Sequence, residues 1–230
     1  MNFWQVFLSL IYPKICLNCN RKITSETNFL CTDCQTELEF LQDELCPKCG
    51  SPQKSQHCDI CTDFHFHRAR SVFPFNKPVR SLIHYLKYYE FTKVADYLAT
   101  YCYEYLQKYA PFPNIDIICP VPLHKVRKRS RGFNQAEKIS SKLAFYMGWN
   151  HLPDLILRTK HTSTQTKLSK AERNKNVSEA FGVNSQYQVK NRSILVLDDV
   201  FTTGSTVNAI SKVLEKYEVR GIYILTIARA

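Results

Sequence analysis

The segment from Ile194 to Thr206 combines residue types that suit the binding of a phosphorylated sugar. Its apolar start predicts a buried strand, which delivers two adjacent carboxylates, Asp198 and Asp199, to the sheet edge where open α/β proteins bind ligands. A hydroxyl-rich loop then opens a helix, and its backbone N–H groups suit a phosphate. The acids can accept hydrogen bonds from vicinal sugar hydroxyls. A solvated turn followed by an ordinary helix cap is the simpler alternative.

Eight of the ten cysteines form four Cys-x-x-Cys pairs near the start of the chain. Two such pairs can supply the four thiolates of a tetrahedral zinc site, whereas disulfides are rare in reducing compartments. We therefore predict two structural zinc sites, with disulfides or one degenerate site as alternatives. Sequential pairing is favoured, although cross-bracing also fits the spacing. The expected ligands are Cys16, Cys19, Cys31 and Cys34 for one site and Cys46, Cys49, Cys58 and Cys61 for the other.

Charge is distributed unevenly along the chain. Residues 1–67 contain 5 Lys and Arg against 8 Asp and Glu, a net charge of −3, whereas residues 68–230 contain 26 against 12, a net charge of +14. Four thiolates and one Zn²⁺ add about −2 per site, so two sites would bring the first part to about −7. A surface that attracts a polyanion is therefore expected on the larger part.

Two basic runs lie in the larger part of the chain. One provides the candidate contacts to nucleic acid, which are Lys125, Arg127, Lys128, Arg129 and Arg131. The other comprises Arg158, Lys160, Lys167, Lys170, Arg173 and Lys175. These cations either attract a sugar phosphate or follow the backbone of single-stranded DNA, and their number favours DNA. The neighbouring His124 and His161 are interpreted as solvated loop residues, with a general base as the alternative.

The pattern of apolar residues predicts the elements that position these groups. Strands are expected at Ser71–Phe75, Ile115–Cys119, Ile194–Leu197 and Ile222–Ile227, and helices at 79–109 (broken near Glu90), 133–147 and 205–217. Alternating strands and helices predict an α/β domain with a mainly parallel sheet flanked by helices. We place an N-terminal helix and a double zinc ribbon at residues 1–67 and the α/β domain at residues 68–230.

Several function classes are excluded by composition. A hydrophobic content of 44% with only six glycines rules out a disordered or collagen-like chain. No apolar run reaches the roughly 20 residues of a transmembrane helix, and Met1–Tyr12 lacks the features of a signal peptide, so a cytoplasmic protein is expected. Eight tyrosines between residues 85 and 109 are expected to pack along a half-buried helix, with stacking on bases as the alternative.

The Ile194–Thr206 segment resembles the phosphoribosyl pyrophosphate (PRPP) motif of type I phosphoribosyltransferases. The resemblance implies that the acid pair binds the ribose 2- and 3-hydroxyls and that the following loop binds the 5-phosphate. It also implies a pyrophosphate contact after the strand that ends near residue 119, a flexible loop after Leu157, and Mg²⁺ bound with PRPP. The implied PRPP-binding residues are Asp198, Asp199, Thr202, Thr203, Gly204, Ser205, Thr206, Pro120, Val121 and Pro122.

Over nearly its whole length the chain is similar to the ComF family of competence proteins. The motifs that carry this similarity occur in one order: the four cysteine pairs, Pro120-Val-Pro-Leu-His124, Arg131-Gly-Phe-Asn-Gln135, Gln165 with Leu168, Arg173 and Asn176, Ala180-Phe181 and the PRPP motif. Lys167 departs from the pattern, because a glycine is expected there. The resemblance implies a type I phosphoribosyltransferase-like fold and a role in DNA uptake, with single-stranded DNA and other DNA-uptake proteins as partners. An active phosphoribosyltransferase of nucleotide salvage and a ligand-sensing regulator remain alternatives. The sequence reveals no acceptor pocket, so no catalytic residue is assigned.

Overall fold

The computed structural model describes residues 14–23, 29–42, 44–52, 58, 61–88, 92–123, 129, 132–158 and 180–230. Several predictions lie outside these residues. They concern the N-terminal helix, His124, His161 and the loop after Leu157. All residues of the two basic runs except Arg129 and Arg158 also lie outside the described part of the chain.

A five-stranded parallel sheet forms the centre of the α/β domain. In chain order the strands are β1 (Arg68–Pro74), β2 (Ile117–Pro120), β3 (Asn150–His151), β4 (Ile156–Arg158), β5 (Phe181–Val183), β6 (Ser193–Phe201) and β7 (Gly221–Arg229). The sheet order is β1-β7-β6-β2-β3, while β4 and β5 pair with each other in a separate antiparallel ribbon. The long and mostly buried strands β6 and β7 therefore lie inside the sheet, as their apolar sequences require.

Helices cover both faces of this sheet. They are α1 (Thr32–Thr36), α2 (Lys77–Tyr88), α3 (Thr92–Tyr109), α4 (Gln135–Met147) and α5 (Ser205–Glu215). Because side chains alternate along a strand, Leu195 and Leu197 of β6 pack with the core of α2, α3 and α4. Ile194 and Val196 pack with α5 on the opposite face. The predicted mainly parallel, helix-flanked sheet is confirmed.

The cysteine-bearing segment packs against β1, the edge strand of the sheet. The backbone N–H of Leu41 donates to the carbonyl of Val72 (2.9 Å), and the N–H of Ala69 donates to the carbonyl of Lys48 (2.7 Å). These bonds satisfy backbone groups that an exposed edge would offer to other chains. We call the described parts of residues 14–42 the first ribbon and those of residues 44–67 the second ribbon. The first ribbon shares the core of α2 and α3, and the second shares the core under α5. The two ribbons are therefore packed into the same cores as the helices of the α/β domain.

The tyrosine-rich helix packs in the way the sequence predicts. Phe40 of the first ribbon makes edge-on contacts with Tyr101, Tyr105 and Tyr109 of α3. Tyr88, at the end of α2, differs because it is 62% exposed.

Within the described part of the chain, no helix has both the length and the apolar character that crossing a membrane requires.

Candidate ligand site and zinc centres

The acid pair lies within β6 rather than after it. Asp198 is in register with Thr226 of β7, and Val200 with Ala228, so strand pairing continues to Phe201. The predicted strand ended at Leu197 because the apolar run stops there, whereas backbone pairing with β7 does not depend on the side chains. The two carboxylates are consequently held by a central strand at the carboxyl edge of the sheet.

Asp198 has an unusual protonation equilibrium. Burial and the neighbouring charge of Asp199 raise the pKa of Asp198 to about 7, although its Oδ1 accepts a hydrogen bond of 2.8 Å from the Asp199 N–H. Near neutral pH the Asp198 carboxyl group is therefore protonated in part of the molecules. A sugar hydroxyl that donates to Asp198 is favoured when this proton has left.

Lys87 is a site residue that the sequence analysis missed. It lies in the last turn of α2, and its Nζ forms an ion pair with Oδ2 of Asp199. The two side chains are only 22% and 23% exposed, so water screens this pair less than a surface pair. No local pattern connects a helix lysine with a carboxylate more than a hundred residues later.

The hydroxyl-rich loop after β6 forms a small open cavity together with Asp198. Gly204 immediately precedes α5 and has φ +73°, a left-handed conformation that favours glycine. The hydroxyls of Thr203 and Ser205 lie 2.8 Å apart at the start of the helix. Hydroxyl groups and the helix N-terminus thus converge on the side of the cavity predicted to hold a phosphate.

The segment Pro120–Pro122 leaves the sheet beside the acid pair. Pro120 is in register with Leu197, and the N–H of Val121 donates to the Leu197 carbonyl (2.8 Å). Asn134 fixes the same segment, because its Nδ2 donates to the Val121 carbonyl (3.0 Å) while its Oδ1 caps α4. The structure therefore brings together the two segments predicted to contact PRPP. Arg129 is exposed.

The eight paired cysteines form two clusters of four, grouped sequentially along the chain. The Sγ–Sγ distances include 3.5 Å for Cys19 and Cys31, 3.6 Å for Cys46 and Cys61, and 3.6 Å for Cys49 and Cys58. Tetrahedral zinc with Zn–S bonds of about 2.3 Å requires separations of about 3.8 Å, so the clusters have nearly the size that zinc needs. The isolated Cys102 is fully buried in the core.

In each cluster hydrogen bonds lower the pKa of one thiol, whereas burial raises the pKa of Cys34 in the first cluster and of Cys49 and Cys61 in the second. Arg21 donates to Cys19 Sγ (3.4 Å) and lowers the pKa of that thiol to about 6. Burial opposes ionisation of Cys46, but hydrogen bonds from the backbone of Cys49 and Lys48 lower its pKa to about 7. Each cluster offers four sulfur ligands at nearly the separations that zinc requires, so the donor set supports two zinc sites.

Comparison with known proteins agrees with this arrangement. Residues 7–64 match the double zinc ribbon domain. The chain is 31% identical to competence protein F of Haemophilus influenzae over 94% of this chain and 96% of that protein. The chain belongs to the ComF family. DNA utilization protein YhgH of Salmonella typhi is 30% identical (89% and 92% covered), and competence protein ComFC of Streptococcus pneumoniae is 26% identical (90% of each).

Solved phosphoribosyltransferases are also similar to this ComF family member. An adenine phosphoribosyltransferase has 14% identity and a TM-score of 0.41, covering 64% of this chain and 75% of its own. The enzyme from Saccharomyces cerevisiae, with adenine and an imino-altritol bisphosphate bound, has 14% identity and a TM-score of 0.39 (62% and 72% covered).

Proposed function

We propose that this protein binds PRPP at the carboxyl edge of its sheet and single-stranded DNA on the basic surface of its larger part, and that it acts in DNA uptake in the cytoplasm. The observation that carries the ligand proposal is one continuous unit, in which β6 holds two acids, a hydroxyl-rich loop follows and α5 begins. The names of the relatives, which are competence and DNA utilization proteins, support the biological role.

In this proposal, different residues of the site contact different parts of PRPP. Asp198 and Asp199 accept hydrogen bonds from the ribose hydroxyls, while the loop that ends at Gly204 donates to the 5-phosphate. We assign the pyrophosphate contact to Pro120–Pro122, because this segment emerges from the strand next to β6. Mg²⁺ would be held mainly by the ligand and water. Lys87 neutralises Asp199 and so allows two adjacent carboxylates to occupy a half-buried site.

Calorimetric titration with PRPP and Mg²⁺ tests the ligand proposal. Asp199→Ala removes a charged acceptor, a loss of about 1.5–3 kcal/mol or roughly 10- to 150-fold in affinity. Asp96→Ala, which removes an exposed carboxylate of α3, is the matched control and should bind as the parent does. Equal affinity in all three proteins would exclude the proposed role of the acid pair. Pyrophosphate release that depends on an added base or amine would assign transferase activity instead.

The DNA proposal rests on charge. The net charge of +14 on residues 68–230 contrasts with a negative N-terminal module. Contacts to single-strand phosphates should give a slope of roughly −0.7 per contact when log affinity is plotted against log salt. We expect DNA to bind with little sequence preference, because phosphate contacts carry no base information.

A triple substitution tests this surface. Changing Arg127, Lys128 and Arg129 to Gln should weaken binding of a fluorescent oligonucleotide and make the slope shallower by about 2, if all three contact phosphates. The control changes Lys108, Lys212 and Lys216 to Gln. This control removes the same charge at the ends of α3 and α5. Both ends lie near the edge of the sheet opposite the carboxyl edge that carries the acid pair. Equal weakening by both variants would mean that net charge alone, rather than the 125–131 run, binds DNA.

A further inference from the structure

Residues 61–67 connect the last cysteine of the second ribbon to β1 and lie along α5 on the way. Asn208, in the first turn of α5, accepts a hydrogen bond from the N–H of His65 (2.7 Å) and donates to the carbonyl of Asp63 (3.2 Å). At the other end of the helix, the His65 ring and the Glu215 carboxylate are 2.6 Å apart. The segment is thus fixed to the helix whose N-terminus faces the ligand cavity.

The hydroxyl-rich residues 202–206, which the proposed function assigns to the 5-phosphate, are called the phosphate loop. Phe64 packs directly behind this loop. Its ring lies against Phe66 (4.8 Å between centroids) and contacts Phe201 edge-on (6.2 Å). A methyl group at Gly204 would come within 2.9 Å of Phe64 Cζ and 2.7 Å of Phe201 Cζ. The two rings therefore touch the backbone of the loop, and their positions determine where that backbone can lie.

Arg229 joins the same aromatic cluster to the Cys46–Cys49 pair of the second tetrad. Its guanidinium group lies over the ring of Phe201 (4.4 Å to the centroid), and its Nη1 donates to the carbonyl of Cys49 (2.8 Å). This bond ties a residue of the second tetrad to the packing behind the loop.

The first ribbon has different neighbours. Asn18 accepts a hydrogen bond from Ser81 of α2 (3.1 Å), and Gln35 donates to Tyr101 of α3 (3.3 Å). Both helices lie on the face of the sheet opposite α5, so the two zinc sites support different parts of the domain.

We propose that the second ribbon forms the rear wall of the phosphate loop and that Phe64 is its positioning residue. Metal in the second tetrad then maintains the shape of this loop without contacting it. Metal in the first tetrad has no such effect on the loop. The ligand used to detect this effect rests on the proposed function, but the shape of the loop can be measured without ligand.

Hydrogen exchange of the amides of residues 202–206, measured by mass spectrometry, tests the role of Phe64. In Phe64→Ala, exchange in this loop should rise without ligand, and PRPP affinity should fall by about tenfold or more, since a displaced donor loses its hydrogen bond. Phe64→Leu should change loop exchange and PRPP affinity less than Phe64→Ala does. The matched control is Phe29→Ala, which removes a first-ribbon ring that packs on Tyr97. Unchanged loop exchange in both Phe64 variants would overturn the proposal.

Metal loss provides the second arm of the test. Cys58→Ser and Cys31→Ser each remove one half-buried thiolate, from the second and first tetrads respectively. Both should lose one zinc by elemental analysis, but only Cys58→Ser should raise exchange at residues 202–206. If Phe64→Ala does not fold, Phe64→Leu and this pair decide the question. Equal loop exchange in the two cysteine variants would refute the proposed asymmetry. Failure of the parent to bind PRPP would refute the proposed function instead, and the exchange data would still decide the role of Phe64.

Discussion

Replacing Gly204 by alanine should destabilise the phosphate loop through two separable effects. At φ +73° an L-residue is disfavoured by about 1–2 kcal/mol. The added methyl group would also lie 2.7 Å from Phe201 Cζ and 2.9 Å from Phe64 Cζ, and moving well-packed rings costs about 1–3 kcal/mol. We therefore expect the free energy of unfolding to fall by about 2–5 kcal/mol in total.

Gly148→Ala isolates the first effect. Gly148 follows α4 with φ +69°, nearly the same conformation, but nothing lies within 4 Å of the position that its methyl group would take. Only the conformational term of about 1–2 kcal/mol should remain. The difference between the two variants therefore measures how firmly Phe64 and Phe201 hold the loop.

Urea unfolding of the parent and both variants gives these free energies, and calorimetry with PRPP gives the effect on binding. Gly204→Ala should be less stable than Gly148→Ala by about 1–3 kcal/mol, and it alone should bind PRPP about tenfold or more weakly. Adding Phe64→Ala should recover about 0.5 kcal/mol or more relative to the sum of the single changes, because one of the two contacts is gone. Equal stability of the two glycine variants would show that the rings yield freely, which would refute this reasoning.

Three further predictions concern the metal and the acid pair. The purified protein should contain close to two zinc ions by elemental analysis, and Cys46→Ser should contain one while the circular dichroism of the α/β domain is retained; disulfides without zinc would contradict this. Because the pKa of Asp198 is raised to about 7 in the folded protein, the free energy of unfolding should fall as pH rises from about 4 to about 7. Asp198→Asn should remove this decline and raise Tm at pH 8 but not at pH 4, and an unchanged pH profile would show that the acid titrates normally. Lys87→Met removes the cation that lowers the pKa of Asp198, so the midpoint of the pH dependence of Tm should move upward, and no movement would place Lys87 outside the electrostatics of the site.

The sequence predicts the parts of the site that are continuous along the chain. The run Ile194–Leu197, the two acids and the following loop occur together because one strand, one turn and one helix start build that side of the cavity. The cysteine clusters are predictable for the same reason, since each knuckle is a local structure. The strand boundaries are shifted, because β6 continues through the acids by pairing with β7.

The remaining site residues come from contacts that no local pattern encodes. Lys87 meets Asp199 only because α2 packs across the sheet, and Phe64 meets Gly204 only because the second ribbon folds back along α5. The pairing of β4 with β5 was also missed, because Phe181–Val183 is too short to give a periodic signal. In each case the two partners are far apart in sequence, and tertiary packing alone brings them together.

The position of β7 also constrains how the protein folds. This strand follows β6 in sequence, yet it lies between β1 and β6, and its Arg229 donates a hydrogen bond to the Cys46–Cys49 pair. The partners that β1 and the Cys46–Cys49 pair require therefore lie more than 150 residues later along the chain. Contacts of such long range form slowly, because a long loop must close before they can form. Zinc captured by the cysteine segments before these contacts form would protect their thiols during this interval.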